Sequence, residues 1–161
     1  MSQVFIFNEK LIDKVFDRMI NDDNDPEQEL RKLSETQPGI IDFLANESLE
    51  VLTPEEHDYL IFLSMVIVNC MSEAKLQLDT VAPEELEELE EKNWELLEAV
   101  TGKGFRQRIS IFFDHSDQED MLAFIEDALA EDDLHLVTKE GRELMFIVLL
   151  TLFQALILNI E

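Results

Sequence analysis

The sequence predicts an all-α protein of about eight helices, arranged as two pseudo-repeated four-helix halves that share one core. Three observations favour this fold class. Apolar residues recur at the three- and four-residue spacing of amphipathic helices, helix start and stop residues separate these stretches, and one stretch occurs twice. The 161 residues suit one domain. We therefore expect a single all-α domain over residues 1–161, with its internal repeat at about residues 5–78 and 90–160.

The repeat is clearest where residues 40–55 face residues 125–140 at a constant offset of 85. Seven of these sixteen positions are identical: Ile40/Ile125, Asp42/Asp127, Leu44/Leu129, Ala45/Ala130, Leu49/Leu134, Thr53/Thr138 and Glu55/Glu140. Residues 8–15 and 59–63 also have counterparts at this offset, whereas residues 22–38 do not. The general likeness of amphipathic helices explains the apolar matches, but it explains less well why three segments share one offset. We therefore favour a duplication.

Four helices are predicted in the first half. The first covers Asn8 to Ile20, and the second begins at Pro26, which suits a first helical turn, and stops before Pro38. A short third helix covers Ile40 to Ala45. The fourth starts at a capping box, in which Thr53 is the N-cap and Glu56 closes the box, and it runs to about Leu78.

The second half repeats this order. Helices are predicted from Pro83 to Val100, around Phe105–Phe113, and after a second capping box at Ser116–Glu119. Thr138 caps the last helix, but Gly141 stands where the box would have its glutamate. The two most apolar helices, residues 53–78 and 138–160, should be neighbours at the centre of the core.

Charge limits the range of partners. The chain has 37 acidic and 12 basic residues, and both halves share the excess. Such a protein repels nucleic acid and anionic membranes, so a charged partner should be a basic protein or a metal cation. The residues from Leu144 to Ile160 are apolar but short for a membrane span, and we expect a core helix. A homodimer that uses this helix as its interface is a weaker alternative. The single cysteine and the lack of a signal peptide favour the cytoplasm.

The most distinctive surface is the acidic helix that begins at Pro83. Eight pairs of glutamates lie three or four residues apart between Glu84 and Glu98, so like charges repel along its face. A basic partner would relieve this repulsion, whereas the simpler interpretation is a solvated face that aids solubility. The residues that we expect to bind the partner are Glu84, Glu87, Glu88, Glu91 and Glu95.

Enzyme signals are weak, and the sequence favours a non-catalytic protein without cofactor or metal. It has three histidines, and no nucleophile elbow, zinc motif, phosphate loop or dinucleotide motif is recognisable. The weak candidates are an anion site at Gly102–Gly104 with Arg106 and Arg108, the pair Asp132 and His135, and a calcium-like stretch at residues 22–27. The leading hypothesis is an adaptor, inhibitor or immunity-type protein. The alternative is a small enzyme or ligand-binding protein with a pocket between the halves, where His57 or His135 would meet carboxylates.

Overall fold

The computed structural model describes residues 5–21, 26–101, 104–130 and 137–161. Within these ranges the regular elements are helices, so the all-α prediction is confirmed. A 3-10 helix, Glu47–Val51, lies between the third and fourth α-helices. The α-helices are α1 (Glu9–Asn21), α2 (Pro26–Thr36), α3 (Pro38–Leu44), α4 (Pro54–Glu73), α5 (Pro83–Glu98), α6 (Phe105–Asp114), α7 (Glu119–Leu129) and α8 (Lys139–Leu158).

Helix α8 lies at the centre of the core. It packs against α4, α5 and α7, and α4 also packs against α1. The predicted contact between the two most apolar helices is therefore confirmed. Among the described residues, α8 is the one helix that is long and apolar enough to cross a membrane. However, 72% of its apolar stretch is buried inside the fold. It is thus consistent with the core helix of a soluble protein.

Two predicted helix boundaries are wrong. Helix α4 ends at Glu73 and not near Leu78, because Lys75 takes a positive φ of 59° and the amide of Leu76 donates to Met71 O, which closes the helix end. Helix α7 has Gln118 as its N-cap, and Ser116 Oγ accepts from the Gln118 amide instead of closing a capping box. The sequence pattern missed both ends because local hydrogen bonds decide them.

One carboxylate caps both central helices. Glu56, only 1% exposed, accepts from the Thr53 amide through Oε1 at 2.9 Å, which completes the predicted capping box of α4. Its Oε2 accepts from the amide and the hydroxyl of Thr138, at 3.0 and 2.9 Å. Thr138 Oγ1 in turn accepts from the Gly141 amide at the start of α8. Glu56 therefore ties the N-termini of α4 and α8 together.

Two buried glutamines each hold an extended segment that precedes a helix. Gln37, at the N-cap of α3, donates to Asp79 O and accepts from the Val81 amide just before α5. Gln118, at the N-cap of α7, donates to Phe5 O and accepts from the Phe7 amide just before α1. We call these two arrangements the glutamine clamps. Each satisfies one backbone N–H and one C=O that no helix could satisfy.

The C-terminal ends of α3 and α7 are also held in a similar way. His57 Nε2 lies 2.9 Å from Leu44 O, and Arg142 Nε donates to Leu129 O at 2.7 Å. Both side chains come from the first turns of the central helices. A nitrogen donor at a helix C-terminus satisfies a free carbonyl, so each central helix fastens the short helix that precedes it.

Candidate interaction surfaces

Helix α5 presents a continuous acidic face. The five glutamates expected to bind a partner are all exposed, and their spacing places them on one side of the helix: Glu84, Glu87, Glu88, Glu91 and Glu95. The opposite side is buried through Leu86, Asn93 and Leu97. The ion pairs found among the described residues involve none of these five carboxylates. Their negative charge is therefore available to solvent or to a partner.

The acidic face is held in place by polar contacts to α8. Asn93 Nδ2 donates to Thr151 Oγ1 at 3.0 Å and to Gln154 Oε1 at 2.8 Å. Asn159 Nδ2 donates to Glu85 Oε1 at 2.8 Å. Because buried polar contacts fix the rotation of a helix about its axis, these bonds hold the glutamates in one orientation. Burial, and then the charge of Glu87, raise the pKa of the half-buried Glu90 above 4.5.

A cleft between α1 and α7 is the second candidate site. It has a volume of about 410 Å³, and Tyr59 of α4 contributes to its wall. Four exposed carboxylates line it, those of Glu9, Asp13, Asp120 and Asp127, with no basic residue among its lining. Its apolar lining is Ile12, Phe16, Tyr59, Ala123, Phe124 and Ala128. The cleft is therefore acidic with an apolar, largely aromatic floor.

The geometry of the cleft is fixed from both sides. Asp120 Oδ2 accepts from the Glu9 amide at 2.9 Å, which joins α7 to the start of α1. The rings of Phe16 and Phe124 meet edge to face at 5.7 Å between centroids. The hydroxyl of Tyr59 donates to Ala128 O at 2.8 Å. The sequence alone does not predict this cleft. The available signal was a phenylalanine at position 124, set between aspartates at 120 and 127 on one helix.

The histidines do not meet carboxylates in this cleft. His57 lines a different cavity, of about 410 Å³, with Glu27 and Arg31 as the other charged residues of its lining. His115 lines a cavity of about 330 Å³ beside α5, in which Asp117 is the acidic residue. His135 and Asp132 lie outside the described residues, as do residues 22–25 of the calcium-like stretch. No group of three or more potential metal ligands occurs in the described part of the chain.

Arg106 and Arg108 form ion pairs, and the thiol of Cys70 is buried. Arg106 pairs with Glu126 at 2.9 Å, while Arg108 pairs with Glu143 and donates to Val100 O. Both arginines beside the weak anion site at Gly102–Gly104 are thus paired with carboxylates, and residues 102 and 103 of that site lie outside the described part. Burial raises the pKa of the Cys70 thiol to about 12, so this side chain is no nucleophile at neutral pH.

Comparison with known proteins finds no matching family model, no significantly similar curated protein and no significantly similar solved structure. The features of the described residues that bear on function are an acidic helix face and an acidic cleft on an all-helical fold.

Proposed function

We propose that this chain is a non-catalytic interaction protein that presents the acidic face of α5 to a basic protein surface. One observation carries the proposal. Five exposed carboxylates share one face of a helix that polar contacts hold against the core, and the described ion pairs leave all five unneutralised. An adaptor, an inhibitor or an immunity-type protein would use such a face. In one version it mimics the charge of nucleic acid and blocks a nucleic-acid-binding protein.

Repulsion between the glutamates of α5 would favour the binding of a basic partner. Eight like-charge pairs at about 0.2–0.5 kcal/mol each cost about 2–4 kcal/mol at low salt. The helix dipole offsets part of this cost for the acids of the first turn. A basic partner would remove the rest and would be steered towards the face as it approaches. Association should therefore be fast at low salt and slow at high salt.

Capture from a native lysate tests the proposal. The bait is the full chain, and the variant carries glutamine at all five glutamates of the face. A control variant has the same change in net charge, but at exposed acids elsewhere. Its substitutions are Asp17→Asn, Glu35→Gln, Glu50→Gln, Asp58→Asn and Asp114→Asn.

We expect one basic protein in stoichiometric amount on the wild type and on the control, but not on the α5 variant. An equal loss of capture in both variants would show that net charge alone attracts the partner, and equal capture by all three baits would show that the α5 face is not the binding surface. Either result would refute a specific site. Light scattering on the free bait, run first, separates a monomer from a homodimer. In the described chain α8 leaves only Leu158 strongly exposed for such a dimer.

The proposed setting is the cytoplasm. The sequence has one cysteine, so no disulfide can form within it, as is usual for proteins of a reducing compartment. Fractionation of cells that produce the tagged protein tests this expectation, and recovery with the membranes would contradict it.

We also propose that the two halves are copies of one four-helix unit. The packing supports this: α1 on α4 matches α5 on α8, and α3 on α5 matches α7 on α1. The glutamine clamps match in the same way, since each half holds the segment that precedes the other half's first helix. His57 with Leu44 and Arg142 with Leu129 differ by the same offset of 85 that the sequence repeat has. If this is correct, the two clamps should contribute equally to stability.

A further inference from the structure

We propose that the cleft between α1 and α7 is a binding site for an aliphatic organic cation, an amine or guanidine carried on an apolar stem. The site is separate from the acidic face of α5, and nothing in the argument depends on that helix. The proposal rests on the shape of the cleft, on its lining and on a comparison with its counterpart in the other half.

The counterpart lies where α3 crosses α5. In the proposed duplication, this crossing corresponds to that of α7 with α1. The cavity there has a volume of only about 80 Å³, against about 410 Å³ in the α1–α7 cleft. Asp42 lines the small cavity, and Asp127, its partner at offset 85, lines the large one. The same architecture thus leaves one crossing nearly closed and the other open.

Two residue pairs at the repeat offset distinguish the two crossings. Phe43 lines the small cavity, and its partner at offset 85 in the large cleft is Ala128. Phe43 is 9% exposed and belongs to the core, so its ring fills space at that crossing. Alanine lacks this ring. Gly39 also lines the small cavity, and its partner in the large cleft is Phe124. A Cβ atom on Gly39 would lie 2.8 Å from Val81 O, so this glycine allows a close approach of α3 to the segment before α5. The open cleft is therefore present at one of two similar crossings and not at the other. Its volume is typical of small-molecule sites.

The lining selects the charge of the ligand. Four carboxylates and no basic side chain line the cleft, so an anion is repelled and a cation is attracted. A bare metal ion fits poorly, because no three potential metal ligands converge in the described residues. A cation that binds here has to be held mainly by long-range charge and by its own apolar surface.

The apolar floor of the cleft favours a ligand whose cationic group is attached to an apolar stem. Phe16, Phe124 and Tyr59 offer ring surface, and Ala123 and Ala128 add aliphatic surface. Aromatic rings attract ammonium and guanidinium groups, and an alkyl stem gains from burial on such a floor. An amine or guanidine on a stem of a few carbons meets both requirements. This chemistry occurs in free polyamines and in lysine or arginine side chains of a protein.

Calorimetry at low salt tests the proposal with defined probes. Agmatine and spermidine represent the free cations, and acetyl-arginine amide represents a protein side chain. 1-Butanol, which has the stem without the charge, and magnesium chloride, which has the charge without the stem, are the controls. We expect saturable one-to-one binding of at least one of the three cations and none of either control. Tighter binding of the polyamine or of the arginine derivative identifies the source of the natural ligand.

Variants then place the binding in the cleft. Ala128→Phe adds a ring to the lining of the cleft and should abolish binding, while the Tyr59 bond to the backbone oxygen of residue 128 is retained. Asp13→Asn and Asp127→Asn are surface changes that the fold should tolerate, and each should weaken binding about tenfold, as expected for the loss of a close charge pair. Circular dichroism checks that each variant is folded.

The variant with five glutamines on α5 separates this proposal from the proposed function, because it should bind the cation as the wild type does. Two results would overturn the proposal. One is equal affinity of the wild type and the two asparagine variants. The other is unsaturable binding that follows net charge alone.

Discussion

The carboxylate of Glu56 occupies the space that a side chain at Gly141 would need. A Cβ atom placed on Gly141 would lie 2.0 Å from Glu56 Oε2. The two positions are separated by the repeat offset of 85, so Gly141 stands where a copy of Glu56 would be expected. One glutamate thus caps both central helices, and the second half has a glycine that makes room for it.

This relationship predicts a strong coupling between positions 56 and 141. Gly141→Ala should destabilise the wild type by about 1–3 kcal/mol, because the new methyl group displaces the carboxylate from Thr138 and leaves buried donors unpaired. In a Glu56→Ala background the same change should be neutral, or stabilising by up to about 1 kcal/mol, since alanine favours a helix over glycine. Urea unfolding of the four proteins measures the coupling. An equal cost of Gly141→Ala in both backgrounds would contradict the shared cap.

Glu56 also predicts how stability depends on pH. Burial alone would raise the pKa of Glu56, but the hydrogen bonds from Thr53 and Thr138 outweigh it, and the pKa lies below 4.5. A lowered pKa means that the ionised group stabilises the fold. The advantage of the wild type over Glu56→Gln should be complete above the unfolded value of about 4.3 and should shrink as the pH falls through the folded value.

Glu90 is the matched control, because its pKa is raised and the sign is reversed. The ionised form of Glu90 is unfavourable in the folded state. The stability that the protein has with Glu90 protonated is therefore lost as the pH rises through the pKa of the folded state. Glu90→Gln should therefore become more stable relative to the wild type as the pH rises above the unfolded value of about 4.3. Unfolding midpoints between pH 3 and pH 7, compared for the three proteins, check both slopes. Parallel curves would refute the two assignments.

The acidic face of α5 predicts that salt stabilises the protein. Raising NaCl from about 20 to about 500 mM shortens the screening length to a few ångströms. The relief of repulsion on α5 should then be worth about 1–3 kcal/mol. The variant with five glutamines on α5 should lose most of this salt effect, whereas the control with five neutralised acids elsewhere should keep it. An unchanged salt effect in the α5 variant would place the repulsion on other surfaces.

The glutamine clamps predict two protected amides outside the helices. The N–H groups of Phe7 and Val81 donate to buried glutamine oxygens, so both should exchange slowly with deuterium. Gln118→Met should speed the exchange of the Phe7 amide and leave that of Val81 unchanged. Gln37→Met should speed the exchange of the Val81 amide and leave that of Phe7 unchanged. Each variant should lose about 2 kcal/mol, because one donor and one acceptor lose their partners. Very different losses would contradict the proposed equivalence of the two halves.

The sequence was sufficient to predict the helices but not the contacts between side chains that are distant in the chain. Helical spacing and the capping box at Thr53 identified the elements, because both signals are local. The missing glutamate at Gly141 was visible, yet its reason lies on α4, 85 residues earlier. No local pattern predicts the role of Gln118 as a clamp, because its partners, Phe5 and Phe7, are more than 110 residues away.

Of the two candidate sites, the acidic face of α5 is predictable from the sequence and the α1–α7 cleft is not. The five glutamates of α5 could be assigned to an exposed face because they share a helix, and the structure places all five there. The α1–α7 cleft could not be predicted, since its lining comes from three helices whose packing no local pattern encodes. Phe124 is half-buried over the cleft, and in the sequence it resembles any other apolar residue of an amphipathic helix.

The central position of α8 has a consequence for how the chain folds during synthesis. It is the last of the described helices to leave the ribosome, yet α4, α5 and α7 all pack against it. Their apolar surfaces are therefore made first and stay uncovered until translation has passed residue 158. We expect nascent chains arrested before Lys139 to bind a hydrophobic dye or a chaperone, and chains with α8 fully emerged to bind neither. Folding of this protein should thus be completed in one late step and not half by half.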